Sequence, residues 1–295
     1  MINPVAERVS QSAKTREENK MIEHKNIVVT GASSGIGKSI LDELVKQEGN
    51  RILAAARRAD RISGYGDNVI PFSCDLSTQE GVDALFRKAE ELFDKVDIYF
   101  CNAGAPYYEQ FDYEDWQRIQ NIFNVNTVAH IYTYSKYLHH LNGREGRLVF
   151  TISAMGEMAL PGYAIYAATK FAMKGFQQAI RDEAPENLKI TCIYPVSTKT
   201  NFFNVGTGGR DLRPPFPVQA PEAVAKAVVN GVDKLKKHIY PCPVYLPSKV
   251  LMNAVPPVKA LYVKAQKGKL HRFVKKLKAE GEGLKEDIKL QKTLK

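Results

Sequence analysis

The run Thr30-Gly31-Ala32-Ser33-Ser34-Gly35-Ile36-Gly37 stands between two different periodicities. Before it, Asn26-Ile27-Val28-Val29 is short and β-branched and reads as a buried strand. After it, Ile40, Leu41, Leu44 and Val45 fall at helical spacing. A strand, a glycine-rich turn and a helix in that order build a phosphate site. Glycine lets the backbone approach a pyrophosphate closely, and the helix start offers free N–H groups and partial positive charge. Alone, such a turn is equally readable as a plain loop.

Working outward, strands are predicted near 27–31, 51–56, 68–73, 97–101, 147–153, 189–194 and 239–243. Helices are predicted near 35–47, 78–94, 115–140, 162–185 and 221–236, with a loop or single turn over 60–67. That alternation implies an α/β fold, a doubly wound parallel sheet of about seven strands with helices on both faces. Ser153 follows the apolar run Leu148-Val149-Phe150-Thr151-Ile152, so it is placed at the carboxyl end of a strand, where open parallel sheets bind ligands. Tyr166 and Lys170 are four apart, on one face of the predicted helix over 162–181. In that helix Phe171, Ala172, Gly175, Phe176, Ala179 and Ile180 read as the inward stripe.

The glycine turn, Asn102-Ala103-Gly104, Asn126 and Ser153…Tyr166-Ala167-Ala168-Thr169-Lys170 together resemble the short-chain dehydrogenase/reductase family. The three-glycine spacing and the 13-residue step from Ser153 to Tyr166 both fit, and the resemblance covers roughly residues 26 to 246. One departure is Cys101, where the family often carries a first asparagine; a small local packing change is expected there. The resemblance implies a Rossmann-type fold and an oxidoreductase that interconverts a secondary alcohol and a ketone by hydride transfer. Such chemistry must move a hydroxyl proton. Tyrosine's ordinary pKa of about 10 leaves phenolate scarce at neutral pH, and lowering it by about 3 units takes roughly 4 kcal/mol. Lys170, one turn away, and an oxidised nicotinamide would both favour phenolate. Tyr166 is therefore the expected general acid/base. Ser153 is expected to hold the substrate oxygen. The resemblance implies that Lys170 also holds the nicotinamide ribose hydroxyls, and that Asn126 positions a water relaying protons to Lys170; Asn124 is the competitor for that role, and the family's Val-Asn pairing favours Asn126. Tyr163 is expected only to line the pocket, since Ala167 stands four residues on.

For the cofactor, the expected cradle is Gly31, Ser33, Ser34, Gly35, Ile36 and Gly37. An acid about 20 residues beyond the turn would accept the ribose 2′-hydroxyl of NAD. The chain has Ala54-Ala55-Ala56-Arg57-Arg58 there, so Arg57, with Arg58, is expected to grip the 2′-phosphate of NADP. By resemblance Asp75 and Leu76 meet the adenine, Asn102, Ala103 and Gly104 flank the adenosine ribose, and Pro195, Val196 and Thr198 meet the carboxamide. A glycine common after that proline is Val196 here. Residues 196–220 read as a lid over the site, in which Phe202 and Phe203 either touch substrate or anchor the lid.

The chain has 295 residues, ample apolar content at 44%, and no apolar run long enough to span a bilayer. Residues 1–25 read as a polar extension without a secretory signal. Cys74, Cys101, Cys192 and Cys242 lack metal spacing and read as buried free thiols in a reducing cytosol; no metal is expected. Charge is segregated. Residues 27–246 hold 24 basic and 24 acidic side chains, while residues 247–295 hold 13 basic and 4 acidic, a net of +9. A neutral body argues against nucleic acid as a partner. In the tail, Val258, Leu261, Tyr262, Ala265, Leu270, Phe273, Val274 and Leu277 recur at threes and fours, opposite a lysine-rich face, as a basic amphipathic helix weakened at Gly268. Two readings stay open: contact with an anionic membrane surface, or packing on the body or a second subunit. The expected organisation is a catalytic domain over 26–246 and a basic helical extension over 247–295, cytoplasmic, with peripheral membrane contact as an option, and a dimer or tetramer. Apolar lid residues suggest a steroid or fatty-acyl substrate. A non-catalytic dinucleotide-binding regulator, or a membrane-surface interaction protein on the same fold, is the alternative.

Overall fold

The computed structural model describes residues 22–210 and 212–279. Most of the expected N-terminal extension, and the tail beyond 279, lie outside the described residues. Residues 22–25 do not behave as a loose polar arm. Ile22 is buried, and its carbonyl accepts a hydrogen bond from Asn50 Nδ2.

Seven parallel strands form the central sheet: β1 (Asn26–Thr30), β2 (Arg51–Ala56), β3 (Val69–Ser73), β4 (Ile98–Cys101), β5 (Gly146–Thr151), β6 (Leu188–Ile193) and a two-residue β9 (His238–Ile239). Their order is β3-β2-β1-β4-β5-β6-β9. The chain winds one way from β1 to β3 and the other way from β4 onward, so the switch point lies between β1 and β4. β-branched side chains alternate across β1. Val28 faces the layer containing Leu85, Phe86, Tyr137 and Phe150, while Ile27 and Val29 face Ile40, Leu41, Leu44, Val224 and Val228. Both faces of the sheet are therefore dry, as a parallel sheet requires.

The helices of the first layer are α2 (Gln79–Leu92), α4 (Ala129–Leu141) and α5 (Ala164–Glu183); those of the second are α1 (Gly35–Leu44) and α7 (Pro221–Asp233). The predicted helix over 115–140 is α3 (Trp116–Phe123) running into α4 through a π turn at Asn124–Val128. The expected stripe on α5 is largely reversed. Phe171, Ala172, Gly175 and Ala179 are exposed, and Tyr166, Thr169, Lys170, Met173, Gln177 and Ile180 face inward. Hydrogen-bonded polar groups, Lys170 among them, take part of the buried face, and Phe171 with three small residues is left outside.

The connection over 196–220 carries structure of its own. β7 (Ser197–Thr198) pairs with β8 (Val218–Gln219), and α6 (Phe202–Gly206) lies between them. After β9 come α8 (Tyr245–Ala254) and α9 (Pro256–Ala279). Gly268 does not interrupt α9, because Leu270, Phe273 and Leu277 pack beside Tyr107, Tyr108, Leu160 and Tyr163 and hold its second half down. Leu261, part of the expected apolar stripe, is 70% exposed. All four cysteines are buried and unbridged.

Candidate active site

Three strand ends are tied together beneath the glycine turn. Thr30 Oγ1 donates to the Phe100 carbonyl and accepts from the amides of Asn102 (2.9 Å) and Ala103 (3.1 Å). Asn102 Nδ2 donates to the Thr30 carbonyl (3.1 Å), and its Oδ1 accepts from Thr151 Oγ1 (3.2 Å). The carboxyl ends of β1, β4 and β5 are thus braced through one amide. Cys101 is fully packed in this sheet and alters none of those bonds. Gly31 holds φ +69°, and a Cβ at Gly37 would collide with the Gly31 carbonyl oxygen and Asn102 Nδ2. The Ser34 side chain makes no capping bond at the start of α1, whose first amides are of the kind that bind an anion.

A cavity of ≈ 680 Å³ runs from this turn across the strand ends. At one end it is walled by Arg57, Arg58, Asp75 and Leu76, as expected, and by Arg61. Arg61 was not expected. It stands four residues after Arg57, and the single turn at Ala59–Arg61 brings it round to the same end. Ser33, Ser34, Gly35, Ile36, Ala103, Gly104, Pro195, Val196 and Thr198 also line the cavity where the reading placed them.

Ser153, Tyr166 and Lys170 all face the cavity. Ser153 lies two residues past β5 at φ +105°, a strained conformation for a residue with a Cβ. Its hydroxyl accepts from the Met155 amide (3.2 Å), and its amide donates to the Ile193 carbonyl. Lys170 Nζ donates to the Thr151 carbonyl (3.1 Å) and sits 5.7 Å from the Tyr166 ring centre. Burial pushes the Tyr166 phenol up to about 12, with the Ser153 hydroxyl pulling against it. Burial also draws the Lys170 ammonium down to about 8. Burial is the dominant cause at both groups, because each charged form loses water there.

Asn126 does not reach the cavity. It is fully buried in the π turn; Oδ1 accepts from the Ala105 amide (2.7 Å), and Nδ2 donates to the Ala105 carbonyl (3.1 Å) and Thr169 Oγ1 (3.3 Å). In this arrangement its side chain braces the Ala103–Ala105 turn against α5. His130, one turn on, adds a hydrogen bond to the Ala103 carbonyl at 2.9 Å.

The other end is apolar. Ile122, Met155, Met158, Leu160, Tyr163 and Phe202 line it, with Phe202 edge-on to Tyr166 at 5.7 Å. Phe203 lines it as well. Tyr163 is wedged beside Tyr108 at 4.8 Å between ring centres. The last wall was missed from sequence: Tyr245, Ser248, Leu251 and Met252 of α8, and Val258 and Tyr262 of α9. Glu157 holds α8 in place. Its carboxylate accepts from Lys249 (2.8 Å), Lys174 (3.1 Å) and Tyr245 (3.0 Å). Burial opposes its charge, but the two lysines more than offset that and keep the carboxyl below its usual value.

The defining pattern of the short chain dehydrogenases matches residues 25–207. The chain belongs to the short-chain dehydrogenase/reductase family. Its members are dinucleotide-dependent oxidoreductases, and this chain is an NAD(P)-dependent dehydrogenase/reductase. Among its relatives, estradiol 17-beta-dehydrogenase 11 of Macaca fascicularis is 27% identical over 235 residues, covering 76% of this chain and 77% of that one. A hydroxynaphthalene reductase-like protein Arp2 of Metarhizium acridum (strain CQMa 102) is 30% identical over 205 residues, covering 65% and 75%. A short chain dehydrogenase from Burkholderia cenocepacia J2315, solved in complex with NADP, superposes with a TM-score of 0.69 at 21% identity, over 82% of this chain and 98% of that one. A Burkholderia phymatum relative solved with NAD gives 0.67 at 20% identity, over 80% and 95%. At those identities the superpositions speak for the fold.

Proposed function

We propose that this member is an NADP(H)-dependent oxidoreductase that interconverts a secondary alcohol and a ketone on a lipophilic substrate of steroid or fatty-acyl type. The observation that carries the reading is the meeting of Ser153, Tyr166 and Lys170 where a glycine-turn cradle joins an apolar chamber. Arg57, Arg58 and Arg61 at the cradle's far end favour a 2′-phosphate, with the first amides of α1 on the pyrophosphate. The dinucleotide supplies or accepts the hydride. Everything else falls to the chain. In the reducing direction the Tyr166 phenol donates its proton to the substrate oxygen as negative charge grows there. The Ser153 hydroxyl orients that oxygen by a hydrogen bond, and the Lys170 ammonium stabilises the phenolate left behind. Phe202, Met155, Met158 and Leu160 exclude water. The names of two relatives refer to estradiol and hydroxynaphthalene, both apolar ring alcohols. With this reading go residues 26–246 as the catalytic domain, a basic helical extension over 247–295, a cytoplasmic location with peripheral membrane contact, and a homo-oligomer.

The test is NADPH consumption against a panel of apolar and water-soluble ketones, with Tyr166→Phe alongside. Loss of turnover by at least a thousandfold, on the order of a general-acid contribution, is expected while NADPH still binds. Activity within tenfold of the parent chain would sink the assignment of Tyr166.

A further inference from the structure

From Lys234 to Ala279 the chain carries twelve Lys and Arg side chains and no Asp or Glu. The same stretch supplies a line of uncovered apolar side chains. Val250 is 67% exposed, Leu261 70%, and Val255, Pro256, Pro257 and Val258, which form the elbow between α8 and α9, are all exposed. Phe216, 71% exposed, joins them, because its carbonyl accepts a hydrogen bond from Tyr262 of α9 at 2.7 Å. Phe216, Leu251 and Val258 line the cavity and are also exposed, so they mark its mouth. Lys259, Lys264, Lys267 and Lys275 are exposed on α9 beside or beyond this rim. Among the described residues no helix is long and apolar enough to cross a membrane.

We propose that this face docks on an anionic lipid bilayer with the cavity mouth opening onto the membrane, so that substrate passes between lipid and site without crossing water. Apolar side chains ringed by lysines match the two layers of such a surface, acyl region and acidic headgroups. A second copy of the chain fits less well, since a twofold contact sets the same basic patch against itself. The apolar rim, in turn, has no use on a nucleic acid. The route of the substrate rests on the lipophilic-substrate reading above; the docking does not.

The experiment is flotation of the full chain with vesicles of phosphatidylcholine alone and with phosphatidylglycerol added. Binding is expected to the second only, and to fall as salt is raised. Val250→Asp with Leu261→Asp should weaken it about tenfold or more, and so should Lys264→Glu with Lys267→Glu and Lys275→Glu. Arg87→Glu, an exposed charge on α2 outside this face, should leave it unchanged. None of these residues lines the cavity, so turnover of a water-soluble ketone should persist in every variant, while turnover of a ketone dissolved in anionic vesicles should drop with the two surface sets. Absence of anionic preference, equal loss in Arg87→Glu, or a dimer that Val250→Asp with Leu261→Asp splits without any vesicle binding would overturn the docking. Vesicle binding by a chain that reduces no ketone would leave the docking standing and count against the enzymatic reading instead.

Discussion

Lys170 and Tyr166 lose their water to the same wall, and the two losses limit the two directions of reaction differently. Reduction needs a protonated phenol and a charged ammonium. With Tyr166 near 12 and Lys170 near 8, the phenol keeps its proton across the neutral range and the ammonium gives way first. Ketone reduction should therefore hold level at low pH and fall as pH rises through about 8. Alcohol oxidation, which needs phenolate, should gain from rising pH over the same window. A rate profile in both directions checks this, and Lys170→Arg should move the upper limb of the reducing profile to higher pH. At the other end of the cavity, Arg57→Ala should weaken NADPH by roughly 10- to 150-fold, the worth of a charge-assisted contact of about 1.5–3 kcal/mol, and NADH far less. Equal losses measured by fluorescence titration would remove the phosphate clamp. These residues were legible in the chain because their geometry is local: four residues apart on a helix, or one step past a strand. Asn126 was legible as a buried amide, but its partners Ala105 and Thr169 were not, since they arrive from other parts of the chain.

At the scale of elements, periodicity located helices better than it oriented them. On α5 the apolar count pointed outward because Lys170, Thr169 and Gln177 take the inner face, where function and hydrogen bonds outweigh transfer energy. The π turn inside the helix over 115–140 left no mark in the pattern; it adds one residue to one turn where Asn126 must meet Ala105. The strands and the glycine turn were plain, since a buried parallel strand advertises itself in β-branched residues. α9 shows the opposite case. Its stripe was visible, yet what it covers was not. Phe273 lies edge-on to Tyr108 at 5.2 Å, and Tyr108 in turn touches Tyr163 in the cavity wall. Phe273→Ala should cost about 3 kcal/mol of stability and raise the Michaelis constant for a bulky ketone, with NADPH affinity unmoved. Thermal melts and steady-state kinetics on the one variant test both halves.

For the whole molecule, acid is the expected weakness. His130 is fully enclosed and pushed down to about 3 by burial, with the Lys170 charge adding to it, and burial lowers His140 as well. His130 stays neutral in the fold and takes up a proton near 6.5 once it opens, and His140 acts in the same direction. Stability should therefore decline as pH drops below about 6.5 toward 3, and His130→Gln, which keeps a donor for the Ala103 carbonyl, should flatten that decline in a series of melting curves. The division of labour along the chain has one more result. The groups proposed to handle the proton lie between residues 153 and 170, whereas much of the chamber's outer wall comes from α8 and α9, some 75 or more residues later. The proposed chemistry is thus written in one paragraph of the gene and the outer wall in another, although Met155, Met158, Leu160 and Tyr163 line the chamber from within the first. A lineage can rewrite the second without disturbing the first, and an engineer who transplants the 245–279 segment from a relative should inherit its taste in substrates along with it.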